Sequence, residues 1–537
     1  MKRIVSLSTW LVLGALLVAA CGPAATTVAP TQAVVQTEAP TAAPQATETT
    51  AATSAPAGQT TPTTAATASL GNFSGITVNI VTFTGPQIAE PLQRHAPEFE
   101  QATGAKINII TVPFSDLYNK ILTDFSTGTN SYDAIVYDPQ WMGDFASAGY
   151  LLDLTDMVKN DPTIQWNDIL PYFRDFSASY QGHVYDIPLD GDVQMVYYRK
   201  DLLDAAGLQP PQTWDDYIAI AKKFQGATFP DGKPGYGSCI AMKRGAQSYW
   251  MFLSILAPFL QTKGTSQGAF FDTSTMQPLI NNDAGLAALN IYQQLSKLGP
   301  PDQLNEDVGD SRGLFTSGRC ALSLDWGDVG VLAVDKTTSK ITSDQVGAVI
   351  TPGTKQVLDR STGKLVACDA TTCPYATDGV NHAPFAAYGG WSGAINKAAK
   401  PEVQKAAFAF LSYVSAPAQS DVDVTLGKTG FNPYRQSQFD NLAPWLAAGF
   451  SENGAKNYLG AIQASLSSPN MVLDLRIPQN ARYEGTVLDT ALAQFLGGEI
   501  NAQTCAKQIS DGWDQLTNTI GKDTVLKVYD ASLNVTR

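Results

Sequence analysis

Histidine is scarce in this chain, and its scarcity limits the chemistry that the protein can perform. The 537 residues include three histidines, His95, His183 and His382. They lie far apart in the sequence and have no metal-ligand spacing. Residues 390–394, Gly-Trp-Ser-Gly-Ala, miss the last glycine of a hydrolase nucleophile elbow, and no histidine follows them to complete a triad in the usual order. The sequence therefore argues against both a metal centre and a serine hydrolase.

Basic residues are in the minority. The chain has 35 Lys and Arg against 49 Asp and Glu, which gives a formal net charge of −14 at pH 7. A protein of this sign repels a phosphate backbone, and its overall field does not attract an anionic substrate. The charge balance therefore argues against nucleic acid as a partner.

Long apolar runs are missing after residue 20. Lys2 and Arg3 precede an apolar run at 11–20 that is too short to span a bilayer, which predicts a signal peptide over residues 1–20. The run ends in Leu-Val-Ala-Ala immediately before Cys21, which resembles the lipobox of bacterial lipoproteins. The resemblance implies that Cys21 is lipidated and anchors the protein to the bilayer. The alternative is an ordinary signal peptide followed by an incidental cysteine.

Aromatic residues are absent from residues 22–69, where Glu38 and Glu48 are the only charged side chains. Such a segment cannot bury enough apolar surface to offset the entropy lost on ordering. Its prolines keep it partly extended. We therefore expect residues 21–71 to be the lipidated cysteine and a disordered tether that carries a folded domain.

Cysteine is sparse as well, with six in the chain. With Cys21 lipidated, the five that remain cannot all pair within one molecule. Cys368 and Cys373 stand in a loop-like run and are predicted to form a local disulfide, because no histidine cluster accompanies them to favour a metal. The other three are unassigned, although a bond between the first two is open: Cys239, Cys320 and Cys505.

The periodicity of apolar residues after the tether switches between two and three to four, which predicts alternating strands and helices. The first segments are strands at 76–83, 106–112 and 132–138, separated by helices at 88–103 and 114–126. This order implies a parallel sheet with helices on both faces. Ligands of such sheets bind beyond the carboxyl ends of the strands. Asp138 and Trp141 follow the third strand and are therefore candidate ligand-binding residues.

Several segments, in order along the chain, resemble the family 1 extracellular solute-binding proteins of bacterial ABC sugar importers, the group that includes maltose-binding protein. The segments that carry the resemblance lie at 99–107, 132–141, 148–154, 187–192, 197–203, 313–326, 389–396, 477–484 and 495–501. Each is weak alone, and their order after a lipobox makes the resemblance specific.

The resemblance implies an α/β fold with two lobes, each a mostly parallel sheet flanked by helices, joined by a hinge. The first lobe would comprise 72–189 and 395–430, and the second 190–394 and 431–537. The chain would therefore cross between lobes near Asp190, Ile395 and Gly430. An insertion at about 366–387, which contains the Cys368–Cys373 pair, departs from the family pattern and could cover the rim of the cleft.

Asp190 and Asp192 are the leading candidates for ligand contact. Two residues apart on an extended segment, they project to one face about 7 Å apart. Ionised carboxylates accept strong hydrogen bonds from vicinal hydroxyls. In the resembling family, loops at this position supply such acceptors to sugars. The alternative is a solvated Asp-Gly-Asp turn.

Aromatic residues at strand ends are the second group of candidates, since an aromatic face packs against the apolar side of a sugar ring. The predicted ligand-binding set is Asp138, Trp141, Asp190, Asp192, Asp325, Trp326, Trp391 and Tyr483. Arg435 could reach the cleft, although structural pairing is the favoured role. We expect no catalytic residue, no metal and no cofactor.

These expectations together describe a lipid-anchored, monomeric receptor on the outer face of the cell membrane. It would capture a neutral sugar, oligosaccharide or polyol in the cleft between lobes and deliver it to ABC permease subunits. One alternative is a secreted glycoside hydrolase that uses the paired aspartates. Another is an adhesion or scaffold lipoprotein with a vestigial cleft.

Overall fold

The computed structural model describes residues 70–427 and 429–535. The predicted signal peptide, the predicted lipidation site at Cys21 and the part of the predicted tether before Leu70 lie outside these ranges. Within them, no helix combines the length and the hydropathy needed to cross a membrane.

The described residues form strands and helices throughout their length. Strands β1 to β13 are Thr77–Phe83, Lys106–Val112, Ala134–Tyr137, Ser179–Tyr180, His183–Val184, Asp186–Pro188, Gln194–Arg199, Tyr236–Cys239, Cys320–Trp326, Val346–Ile350, Gln356–Asp359, Lys364–Ala367 and Ser392–Ile395. Helices α1 to α9 are Pro86–Thr103, Phe114–Thr127, Met142–Ser147, Thr155–Asn160, Lys200–Ala206, Trp214–Phe224, Ser248–Leu260, Asp283–Leu295 and Val308–Thr316. Helices α10 to α18 are Val329–Val334, Pro401–Ser415, Pro417–Thr425, Gln436–Asp440, Ala443–Ala448, Glu452–Leu466, Asp489–Leu496, Ala502–Ile520 and Lys522–Ser532. Two π-helical segments are Tyr172–Ser177 and Arg482–Leu488.

The first lobe is built on a five-stranded sheet with the order β2-β1-β3-β13-β6. Strands β1, β2 and β3 are parallel and are separated by α1 and α2, as the sequence predicted. Strand β13 runs antiparallel to both β3 and β6, so the sheet is mixed. The second predicted crossing, at Ile395, falls inside β13, and the chain enters the first sheet before Ser392.

The second lobe is built on a four-stranded sheet with the order β10-β7-β9-β8. Only β8 and β9 are parallel, whereas β7 is antiparallel to both of its neighbours. The prediction of a mostly parallel sheet is therefore wrong for this lobe. Strand β7 enters this sheet from the first lobe, and neither of its partners, β9 and β10, is joined to it by the single crossover helix that makes successive strands of one sheet parallel.

Local sequence signals account for the helices that frame the second sheet. The hydroxyl of Thr213 accepts a hydrogen bond from the backbone N–H of Asp216, and Asp216 accepts one from the backbone N–H of Thr213. This reciprocal capping box starts α6 where the sequence predicted it. Helix α7 is buried along its whole length, as its nearly continuous apolar sequence requires.

The predicted insertion at 366–387 follows the hairpin formed by β11 and β12. Its second half is tied to the second lobe, because the Asn381 side chain donates to the carbonyls of Pro258 and Gln261 at the end of α7. The end of the insertion lies close to the end of β9, since the ring of Phe385 lies 6.4 Å from that of Trp326.

Candidate ligand-binding cleft

A cavity of about 570 Å³ opens between the two lobes. The first lobe lines it with Phe83, Thr84, Gln87, Pro113, Phe114 and Ser115, and the second lobe with residues 243–247 and 307–309. Phe83 ends β1 and Phe114 follows β2, so both lie at the carboxyl edge of the parallel strands. On the opposite wall, residues 243–247 precede α7, and Asp307 caps the start of α9.

Six aromatic side chains pack together beside this cavity, and we call them the aromatic floor. They are Phe83, Phe114, Trp141, Trp250, Trp326 and Trp391. Phe83 stacks on Trp391 with ring centroids 5.8 Å apart. Phe114 of the first lobe lies 5.7 Å from Trp250 of the second, so the floor continues from one lobe to the other.

The three predicted tryptophans all belong to the aromatic floor. Trp391 stacks on Phe83 and Trp141 lies 5.9 Å from Phe114, so each contacts a ring that lines the cavity without lining it itself. Trp326 packs edge-on against Trp250 at 5.5 Å, and its indole N–H donates to Oε1 of Gln247 at 2.8 Å. The structure thus brings together three residues that are distant in sequence.

Asp138 lies at the carboxyl end of β3, as predicted. Its Oδ1 accepts a hydrogen bond from the backbone N–H of Gln140 and so caps the turn that carries Trp141. Burial, and to a lesser extent the nearby Asp474, raises the pKa of Asp138 to about 7 against the opposing effect of the hydrogen bond from Gln140.

Two buried carboxyl groups behind the aromatic floor were not predicted. Oδ2 of Asp474 accepts the indole N–H of Trp250 at 2.7 Å, and Oδ1 accepts the backbone N–H of Leu475. Glu484 forms a hydrogen bond with Asp474, and burial together with Asp474 raises the pKa of Glu484 well above its usual value. Burial beside Asp474 therefore favours the protonated form of Glu484.

Gln140 connects these carboxyl groups to the predicted residues. With its amide oriented to satisfy both neighbours, it donates to Asp474 and accepts from the indole N–H of Trp141 at 3.2 Å. A polar network therefore fixes the orientation of both Trp141 and Trp250. A signal for Asp474 was present in the sequence, because it is an acid in the otherwise apolar run 471–475.

Asp190 lies in the hinge and does not line the cavity. It is fully buried, and its Oδ1 accepts from the backbone N–H and the side-chain amide of Asn432. Its Oδ2 accepts from the backbone N–H of Trp391. One carboxylate therefore joins the three segments that cross between the lobes. Burial raises the pKa of Asp190 to about 8 against the opposing effect of these N–H donors.

Two glycines allow the crossing segments to pack closely around Asp190. A Cβ on Gly390 would lie 2.3 Å from Oδ2 of Asp190, and the φ of Gly390 is +87°, which L side chains rarely adopt. A Cβ on Gly191 would lie 2.2 Å from the carbonyl oxygen of Pro433. The Asp-Gly-Asp sequence is therefore neither a solvated turn nor a pair of acceptors facing the cavity.

Asp192 takes part in the same hinge network. Its Oδ1 accepts from the side-chain amide of Asn432 at 3.1 Å and from the backbone N–H of Gly327 at 3.2 Å. Asp192 is half-buried. Burial, with Asp190 and Asp328 close by, raises its pKa well above the usual value.

Asp325 and Tyr483 also lie away from the cavity. Asp325 is fully buried and forms an ion pair with Arg312 at 2.7 Å, so its carboxylate already has a charged partner. Tyr483 is fully buried, and its hydroxyl lies 3.1 Å from that of Thr517. In its π-helical segment, the adjacent Glu484, and not Tyr483, forms the hydrogen bond with Asp474 behind the aromatic floor.

Arg435 is fully buried and takes the structural role favoured from the sequence. It forms an ion pair with Asp168 at 3.3 Å and donates to the backbone carbonyls of Ile164 and Ser415.

The cysteines that were predicted or left open also have defined positions. Cys368 is bonded to Cys373, and Cys239 is bonded to Cys320 across the adjacent strands β8 and β9. Cys505 is free and buried. In the part of the chain that the structure describes, no group of three or more His, Cys, Asp or Glu side chains is arranged to hold a metal ion.

Two α/β lobes, three crossing segments and a cavity between the lobes define a hinged binding protein. Residues 85–421 match the bacterial extracellular solute-binding protein family, and the chain belongs to that family. The predicted family membership and two-lobed fold are therefore confirmed.

Solved structures and one curated relative resemble this chain. An ABC transporter solute-binding protein from Agrobacterium radiobacter K84, in complex with ribitol, is 24% identical over 83% of this chain and 100% of its own, with a TM-score of 0.66. Maltose-bound MalE3 of T. maritima is 22% identical over 82% and 100%, with a TM-score of 0.65. The erythritol/L-threitol-binding protein of Mycolicibacterium smegmatis is 30% identical over 89 residues, which span 16% of this chain and 18% of that protein.

Proposed function

We propose that this protein is a lipid-anchored receptor that binds a neutral sugar or polyol in its interlobe cleft and delivers it to an ABC importer. The observation that carries the proposal is the aromatic floor beside a cavity bounded by both lobes. Aromatic faces bind the C–H side of a polyhydroxylated solute, while polar groups bind its hydroxyls.

The lining of the cavity suits such a solute. Thr84, Gln87, Ser115 and Gln247 offer hydroxyl and amide groups, and Phe83 and Phe114 offer apolar faces. The volume of about 570 Å³ lies in the usual range for small-molecule sites. The relatives support the same ligand class, because ribitol and maltose are bound to two of the similar structures and a third protein is named for erythritol and L-threitol.

The hinge suits a receptor that closes over its ligand. Asp190 and Asn432 join the crossing segments close to the backbone of Trp391, whose ring belongs to the aromatic floor. Rotation of the lobes about these segments would move Phe114 of the first lobe relative to Trp250 of the second and change the volume of the cavity between the lobes. A closed, liganded state is then available for selective recognition by the permease.

Isothermal titration calorimetry tests the binding proposal. The wild type is expected to bind at least one of ribitol, D-mannitol, erythritol and maltose with a Kd of about 1 μM or lower. Heats confined to acidic or phosphorylated sugars would overturn the neutral-ligand proposal. Recovery of labelled oligosaccharides intact after incubation separates a receptor from the alternative glycoside hydrolase, which would cleave them.

Trp391→Ala is expected to weaken the binding of that ligand about tenfold or more, because it removes the ring against which Phe83 is stacked. Calorimetry measures the loss. Trp166→Ala serves as the control, because Trp166 is a part-buried tryptophan in a short 3₁₀ turn that does not line the cavity. Equal affinity in the wild type and in Trp391→Ala would place the binding site elsewhere.

The lipid anchor rests on the sequence around Cys21. Cys21→Ser is expected to remove the only thiol available for lipidation at that position, so the variant should move from the detergent phase to the aqueous phase in a detergent partition of whole-cell protein. A wild type that already partitions into water would contradict the anchor.

A further inference from the structure

Gln247 combines three features that a purely structural residue does not need. It lines the cavity and is only half-buried. It directly precedes α7, yet its side chain makes no capping hydrogen bond to the helix. Its φ is +75°, in the left-handed region that non-glycine residues avoid. Strain of this kind persists where the surrounding structure holds it, and it concentrates at ligand sites.

The partner of Gln247 determines which way its amide points. Trp326 donates its indole N–H to Oε1 of Gln247 at 2.8 Å. An indole nitrogen can only donate, so the amide oxygen must face Trp326 and the NH₂ group must face away from it. Among the described residues, this NH₂ group has no hydrogen-bond partner and is not enclosed by protein.

Trp326 is itself held in place. It ends β9, is 4% exposed, and packs against Trp250 at 5.5 Å and Phe385 at 6.4 Å. The ring therefore cannot turn to release the amide without disturbing both neighbours. This arrangement gives the cavity an amide donor of fixed orientation.

We propose that Gln247 is a specificity-determining residue whose NH₂ group donates hydrogen bonds to acceptor oxygens of the bound sugar or polyol, and that Trp326 is a positioning residue which orients it. This inference rests on the proposed function. It assigns Trp326 to the support of Gln247 instead of to direct ligand stacking. Solutes without an oxygen acceptor at this position would be bound weakly, because the amide hydrogens would be desolvated without compensation.

Gln247→Met is the sharpest test, because methionine has a similar length but no N–H to donate and no charge that could bind the solute's hydroxyls instead. We expect its affinity for the ribitol, D-mannitol, erythritol or maltose that binds the wild type to fall about tenfold or more. Gln294→Met makes the same change at an exposed site on α8, remote from the cavity, and should bind like the wild type. Melting temperatures of the three proteins verify that each is folded.

A double-mutant cycle with Trp326→Phe tests the positioning role. Phenylalanine keeps an aromatic ring but cannot hold the amide. The loss of affinity caused by Trp326→Phe should therefore be clearly smaller in the Gln247→Met background than in the wild type. Equal losses in both backgrounds would show that Trp326 contacts the ligand independently and would overturn the positioning role.

The failures of the two proposals are distinguishable. Unchanged affinity in Gln247→Met, with binding by the wild type, overturns the role of Gln247 and leaves the receptor function standing. A wild type that binds none of the four solutes overturns the proposed ligand class and the role of Gln247 together.

Discussion

At the scale of single residues, Asp190 in the hinge shows that a buried acid can bind other parts of the chain instead of a ligand. Asp190 has the charge and the position in sequence of a ligand acceptor, but all of its hydrogen bonds join parts of the chain to each other. A buried carboxylate that accepts from two backbone N–H groups is costly to alter, because each donor would be left without a partner.

Asp190→Ala is expected to lower the free energy of unfolding by about 1–3 kcal/mol. It removes the acceptor of the backbone N–H of Trp391 and of the two N–H groups that Asn432 donates, whatever the charge of the carboxyl group. Urea denaturation monitored by tryptophan fluorescence measures the change. Asp175→Ala, on an exposed ion pair with Arg174, should be close to neutral, and a similar loss in both variants would contradict the hinge role.

At the scale of elements, the direction of each strand follows from how the chain reaches it. Strands β1, β2 and β3 are linked by α1 and α2 and are parallel, whereas β7 and β13 enter their sheets from the crossing segments and are antiparallel to their neighbours. Covalent links add to this pairing, since Cys239–Cys320 joins β8 to β9 while Cys368–Cys373 closes a short loop after β12.

The two disulfides are expected to differ in what they contribute. Their cysteines are 81 and 5 residues apart in sequence, and a longer closed loop restricts the unfolded chain more. Replacing Cys239 and Cys320 by serine should cost about 4 kcal/mol of unfolding free energy, and replacing Cys368 and Cys373 about 2 kcal/mol. Chemical denaturation of the two double variants gives the order, and a larger loss from the short loop would contradict it.

At the scale of the whole molecule, buried acids make stability depend on pH. Burial is the main cause of raised pKa values at many carboxyl groups, among them Asp138 with a pKa of about 7, Asp190 of about 8, Glu306 of about 7, Asp328 of about 7 and Asp489 of about 6. In the unfolded chain such groups ionise near pH 4. The folded protein therefore holds more protons than the unfolded chain between about pH 4 and pH 8.

The melting temperature is consequently expected to fall as the pH rises from 5 to 8. The stabilisation from these acids is complete below the unfolded pKa values and is lost as the pH passes through the folded ones. Half-buried His382, whose pKa is lowered by desolvation, acts in the opposite direction below about pH 6.5, but it is a single group. Calorimetric scans across this range test the expectation, and a melting temperature that rises from pH 5 to pH 8 would contradict it.

The sequence by itself determined the family, the two-lobed α/β fold and the opening strands, because these depend on local periodicity and on motifs that recur in order. It also placed Asp138 and three tryptophans near the cleft, since the ends of parallel strands converge at one edge. Only the tertiary structure decided which carboxylates line the cavity. Asp190 and Asp325 acquire internal partners, and Trp250 and Gln247 reach the cleft from a segment that reads as a core helix and its preceding loop. Whether these side chains are buried depends on partners that are distant in sequence. A pattern within one segment carries no information about such partners.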